Sequence, residues 1–104
     1  MRAEALKGHL DGLILATLAD GPAHGYAIAQ AIRERSEGAF DLPEGTLYPA
    51  LHRLERAGLL ASVWSTEAGR RRRTYRLTRS GGRALSECRK EWRLFARAVG
   101  AVMS

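Results

Sequence analysis

The stretch that most restricts the fold is Leu42-Pro43-Glu44-Gly45-Thr46-Leu47-Tyr48-Pro49-Ala50-Leu51-His52-Arg53-Leu54-Glu55-Arg56-Ala57-Gly58-Leu59-Leu60. Leu47, Leu51, Leu54 and Gly58 recur at steps of four, three and four, so they share one helical face. The other face carries Tyr48, His52, Arg53 and Arg56, with Glu55 as its only acid. Gly58 supplies a residue at which helices commonly stop. A short helix of this kind suits a DNA major groove, which admits a helix and presents donors and acceptors to it. An ordinary surface helix over a core has the same pattern, so its neighbours must decide.

Two starts are open for this helix. Pro49 has no N–H to donate and fits a first turn, as the third helical residue after a Thr46 cap. A start near Glu44 places Pro49 further in and kinks the first turn. In either case Gly45 permits close backbone approach, and Thr46 and Tyr48 offer hydroxyls near a positive helix end, for which phosphate is the natural ligand.

A chain of 104 residues supports one domain with a modest core, and a domain that small gains from oligomerisation. Its charge is unevenly spread. Residues 1–60 hold six Lys/Arg against eight Asp/Glu, whereas residues 61–104 hold eleven against three. The positive field therefore belongs to the C-terminal part and favours a polyanion or an anionic membrane surface. No uninterrupted apolar run approaches the ~20 residues needed to cross a bilayer, and the N-terminus does not read as a signal peptide, so a cytoplasmic location is expected. Cys88 is the single cysteine, which excludes an intrachain disulfide and most structural zinc sites.

Leu6, Leu10, Leu13, Ile14 and Leu18 predict an amphipathic first helix over about Ala3 to Ala19, ended by Asp20-Gly21-Pro22. A second helix is expected from about Ala23 to Ser36, with Ile28 and Ile32 inward and Gln30, Arg33, Glu34 and Arg35 outward. Gly25 in its first turn costs helix stability. Close packing against another helix and contact with DNA both explain it. After Gly58, Leu60–Ser65 and Arg73–Thr78 read as strands of a hairpin, with residues 66–72 between them and Gly69 as the turn signal. Its tip and returning strand are loaded with arginine. Thr78 and Ser80 are candidate caps for a last helix. On it Leu85, Cys88, Trp92, Phe95, Val99 and Val102 follow spacings of three, four, three, four and three, a heptad seam that calls for another helix. Self-association through this seam, with Leu6, Leu10 and Leu13 of the first helix as further contacts, is the simplest way to cover it.

Three helices, an arginine-rich hairpin and a long heptad helix make a mainly α fold with a small β-hairpin: a winged helix-turn-helix over residues 1–79 and a dimerisation helix over 80–104. Arg70, Arg71, Arg72 and Arg73 keep their charge near neutral pH and present forked donors to phosphate. Tyr75 and these arginines are also placed to reach a narrow minor groove.

Four ordered segments then resemble the PadR family of bacterial transcriptional regulators: Leu6–Asp11, Gly21–Tyr26, Glu44–Leu51 and Gly69–Thr78. The single short last helix is similar to that of the small subgroup with one C-terminal dimerisation helix. The resemblance implies a homodimeric repressor on inverted-repeat operators. It implies that the helix with Thr46, Tyr48 and His52 lies in the major groove, and that the turn at His24, Gly25 and Tyr26 meets phosphate. Glu44, Gly45, Pro49 and Arg53 complete the expected DNA-facing set. The family's effector pockets lie near the dimer interface, and Trp92 occupies a comparable place. For Trp92 two readings stand, core packing in the dimer seam and a stacking platform for a small flat aromatic ligand.

Catalysis has little to stand on. His9, His24 and His52 fall on three different elements and Cys88 on the apolar seam, so neither a nucleophile with its base nor a metal-ligand motif is spelled, and no cofactor is called for. The rival reading is a winged helix that binds protein partners rather than DNA, which has no need of four consecutive arginines.

Overall fold

The apolar stripes of the first three helices point into one core in the structure, a computed structural model that describes residues 8–104, whereas the outer part of the heptad stripe on the last helix stays exposed. Helix α1 (Leu10–Leu18) buries Ile14, Leu15 and Leu18. It begins at Leu10, after a turn at Gly8 and His9; the part of the expected helix before Gly8, Leu6 included, lies outside the described residues. Two-residue strand β1 (Ala23–His24) follows, then α2 (Gly25–Arg35), which buries Ile28 and Ile32 as expected. Residues 23 and 24 were expected inside this helix. They pair instead with a later strand, and too short a strand carries no periodicity of its own.

Helix α3 (Glu44–Arg56) buries Leu47, Ala50, Leu51 and Leu54 against α1 and α2. Of the two starts, the structure has the one at Glu44. Extended Pro43 is the cap residue, and its carbonyl accepts from the N–H groups of Thr46 and Leu47 at 3.0 Å. Pro49 is thus the sixth helical residue, and it has no N–H for the carbonyl of Gly45. The far end closes as a Schellman motif, with Leu59 N–H donating to Leu54 O, Gly58 N–H to Glu55 O, and Gly58 at φ 79°.

Strands β2 (Leu60–Glu67) and β3 (Arg70–Leu77) pair antiparallel from Leu60↔Leu77 to Glu67↔Arg70. β1 adds to the other edge of β3, giving the order β1-β3-β2. The seven-residue connection expected at 66–72 shrinks to Ala68-Gly69, with φ 50° and 78°, the two positive values of a type I′ turn. Arg70, Arg71 and Arg72 are therefore strand residues rather than a loop tip.

Helix α4 (Arg79–Met103) is capped by Thr78, whose hydroxyl accepts from Gly81 N–H at 3.0 Å and donates to Gly58 O at 2.7 Å. Gly81 is buried in tight contact with the Leu59 carbonyl. Leu85 is buried and Cys88 half-buried against the core, but from Arg89 onward every residue is exposed. The helix projects from the body and gives the molecule extents of 53 × 28 × 21 Å.

Candidate nucleic-acid interface

With Leu47, Leu51 and Leu54 committed to the core, helical geometry turns Thr46, Tyr48, Pro49, His52, Arg53 and Arg56 outward, and all six are exposed. Glu44 and Gly45 lie exposed at the positive end of the same helix. His52 Nε2 and the Arg56 guanidinium are 3.2 Å apart, one helical turn from each other. Beside this face stands the entry to α2. A Cβ on Gly25 would fall 2.7 Å from the Tyr48 hydroxyl oxygen and 2.8–2.9 Å from its ring carbons. The close approach at Gly25 is therefore made by Tyr48, and packing of α2 on α3 is what requires the glycine. Tyr26 stays exposed, its ring 6.4 Å from that of His24 at 22°.

Alternation divides the arginine run. Cross-strand partners share a sheet face, so Arg71 and Arg73 lie with Thr66 and Trp64 on the face that continues into the core, and Arg70 and Arg72 lie on the other. Arg72 is 2.7 Å from His24 Nε2, to which it can only donate. Nδ1 of the same ring faces the Ala27 N–H at 3.3 Å. Arg73 is held more firmly. Its Nε donates to Ser62 Oγ at 2.7 Å and its terminal nitrogen to Glu55 at 3.2 Å, while Ser62 Oγ donates to Glu55 at 2.7 Å. That network ties the hairpin to α3. The side chains of Arg70 and Arg71 form no hydrogen bond or ion pair with the described residues, although their backbones pair with β2. Arg71 instead rests over the exposed Trp64 ring, 4.8 Å from its centroid.

Three residues expected to face DNA have other partners. Tyr75 is only 6% exposed, because the alternation of β3 turns its ring to the core face; burial first, against the lowering effect of Arg73, raises its phenol above the usual range. Arg53 makes a two-pronged ion pair with Asp11 of α1, both contacts at 2.8 Å, and its pKa is raised by the hydrogen bond to that carboxylate. Arg73 is the third, through Glu55 and Ser62. Asp11, Ser62 and Trp64 were not singled out from the sequence, and Glu55 stands out there only as the lone acid on a basic face, which is the one signal that could have pointed to its arginine partner.

Among the described residues no three metal-ligating side chains gather, and no helix is long and apolar enough to cross a membrane. An open groove of about 520 Å³ lies between α1 and α4, lined by His9, Leu13, Cys88, Trp92 and Phe95 among others. His9 meets Trp92 edge-on at 5.4 Å. Burial is the chief cause holding the Cys88 thiol above its ordinary range, with Glu91, Asp11 and Glu87 adding to it.

Comparison with known proteins decides what this arrangement belongs to. Residues 14–87 match the model of the transcriptional regulator PadR-like family. The chain belongs to the PadR family. This PadR protein is 44% identical over 86 residues to a transcriptional regulator of Mycobacterium tuberculosis, covering 83% of this chain and 78% of that one. Its fold superposes on a transcriptional regulator from Clostridium thermocellum with a TM-score of 0.90 at 30% identity, over 98% of this chain and 100% of the other. A PadR family transcription regulator from Clostridium difficile gives 0.83 at 36% identity, over 92% and 99%. The winged helix and the role in transcription regulation are thereby established for this PadR chain.

Proposed function

We propose that the protein is a cytoplasmic homodimeric repressor that binds an inverted-repeat DNA operator, with residues 1–79 as the DNA-binding unit and 80–104 as the dimerisation helix. One observation carries this reading. The outer face of α3 is exposed over Thr46, Tyr48, Pro49 and His52 while its inner face is buried, and the wing flanking it bears exposed arginine. In this reading α3 enters the major groove, and Arg70 and Arg71 reach the backbone or minor groove. His24, Tyr26 and Arg72 sit where the neighbouring phosphates would run. Dimerisation is supported by the outer half of α4, where Trp92 is 53% and Phe95 56% exposed on one apolar seam. Leaving that area in water is unfavourable by roughly 25 cal/mol per Å². Leu10 and Leu13 on α1 are half-buried beside the seam and would join the interface. Pairing there would hold two copies of α3 roughly 34–36 Å apart, one DNA turn.

A small flat aromatic effector would enter the groove beside Trp92 and change the angle between subunits, which spoils that spacing and releases DNA. The groove's mainly apolar lining supports such a ligand class.

The test is selection of duplexes from a random library, followed by affinity measurements on the selected and random sequences. Changing Thr46, Tyr48 or His52 is expected to weaken the selected duplex more than random DNA, whereas Arg71→Ala should weaken both alike and flatten the dependence on salt. Equal losses on both duplexes from the first set would remove α3 from base readout. Absence of any salt-sensitive binding would favour a module that docks on protein.

A further inference from the structure

Most exposed tryptophans on a small domain invite the question of what they are for. Trp64 is 56% exposed on the outer part of β2, and Val63 beside it is also exposed. It buries nothing in the core. Its ring instead carries two guanidinium groups, Arg71 at 4.8 Å and Arg73 at 5.6 Å from the centroid. The two are not equivalent. Arg73 is already fixed by Ser62 and Glu55, so the indole is a third contact for it. The Arg71 side chain has no hydrogen bond or ion pair among the described residues, and the indole is the contact that restrains it.

The register explains why this pair forms. Trp64 faces Arg73 directly, and Arg71, opposite Thr66, is its diagonal neighbour on the same sheet face. A diagonal of that kind is within reach of an aromatic ring and a long side chain. A guanidinium held over an indole face spends none of its N–H groups on a hydrogen bond there, so this contact leaves its capacity for phosphate intact. A wing arginine in water would otherwise lose rotamer freedom on meeting DNA, and ordering it beforehand reduces that loss.

We propose that Trp64 is a positioning residue for DNA binding: its ring holds Arg71 pre-ordered, with the forked donors presented to the DNA backbone. The inference rests on the DNA-binding reading above and assigns within it a role to a residue that need not touch DNA itself.

The experiment is a double-mutant cycle on the full chain, read as affinity for one duplex at fixed low salt. Trp64→Leu is expected to weaken binding roughly two- to fivefold per wing, the range of an exposed cation–π contact. Trp64→Phe, which keeps an aromatic face, should restore most of that loss, and the thermal midpoint should stay near that of the parent. In an Arg71→Ala background the same Trp64→Leu change should cost nothing further. If Trp64→Leu unfolds the hairpin, Trp64→Val serves the cycle, because valine is a good strand former. An undiminished loss in the Arg71→Ala background would overturn the proposal in favour of direct stacking of Trp64 on DNA. No loss at all would overturn it outright. Failure of the parent protein to bind any duplex at low salt would instead remove the DNA-binding reading on which it depends.

Discussion

Gly81 and Gly82 are neighbours with opposite requirements. A Cβ at Gly81 would collide with the Leu59 carbonyl oxygen and lie 2.9 Å from a Leu77 methyl, where backbone cannot give way; at Gly82 it would meet nothing within 4 Å. Gly81→Ala is therefore expected to destabilise by about 2 kcal/mol or more. Gly82→Ala should stabilise by about 0.5–1 kcal/mol, since it removes a glycine from a helix interior. Paired urea titrations would show the two midpoints moving in opposite directions. Tyr75 makes a second claim at this scale. Its folded phenol titrates above the ordinary value of 10.0, with burial the first cause, so the native state holds that proton more tightly than the unfolded chain. Stability should accordingly fall as pH rises past 10 and stop falling above the folded pKa, and Tyr75→Phe should flatten that stretch of the profile. An unchanged alkaline profile in Tyr75→Phe would contradict the raised phenol. Residue types were readable in the sequence, but partners were not. Arg53, Arg73 and Tyr75 all read as DNA-facing, because an arginine looks alike whether Asp11 or a phosphate awaits it.

Elements with strong periodicity were legible: the apolar stripes of α1, α2 and α3 and the extent of α4 follow from spacing, whereas Thr78 and Ser80 were both open as the cap and the structure has Thr78. What spacing does not encode are elements set by long-range pairing. β1 exists because Ala23 and His24 meet Tyr75 and Thr74, some 50 positions away. The strands of the hairpin run closer to its turn than the sequence suggests, because Ala68 is a poor signal for a type I′ turn, which demands positive φ at both central residues. That mismatch is testable. Ala68→Asn should stabilise the protein by roughly 0.5–1 kcal/mol, since asparagine tolerates the left-handed region better than alanine. The shift would appear in the thermal midpoint without change in the far-ultraviolet circular dichroism. Loss of stability would mean that the turn adopts another form.

At the scale of the whole molecule, the body is a closed core and α4 is half a structure. Its inner residues, Leu85 and Cys88, finish the core, while its outer 15 residues from Arg89 to Met103 cover about 22 Å of helix whose apolar side the described residues leave exposed. The fold class and the family were legible in four short segments. The division of labour between wing arginines was not, because it arises from the β alternation of β3 against two different neighbours, His24 and Glu55. The central claim joins both halves: a pair of chains, linked through α4, grips one duplex with two copies of α3 and of the wing. Sedimentation velocity of the protein with a duplex from its own upstream region, at micromolar concentration and low salt, tests it most directly. The expected result is a free species of twice the 11.4 kDa chain mass and a complex of two chains per duplex that dissolves as salt is raised. A free species of single-chain mass, with the duplex sedimenting unaccompanied, would contradict it.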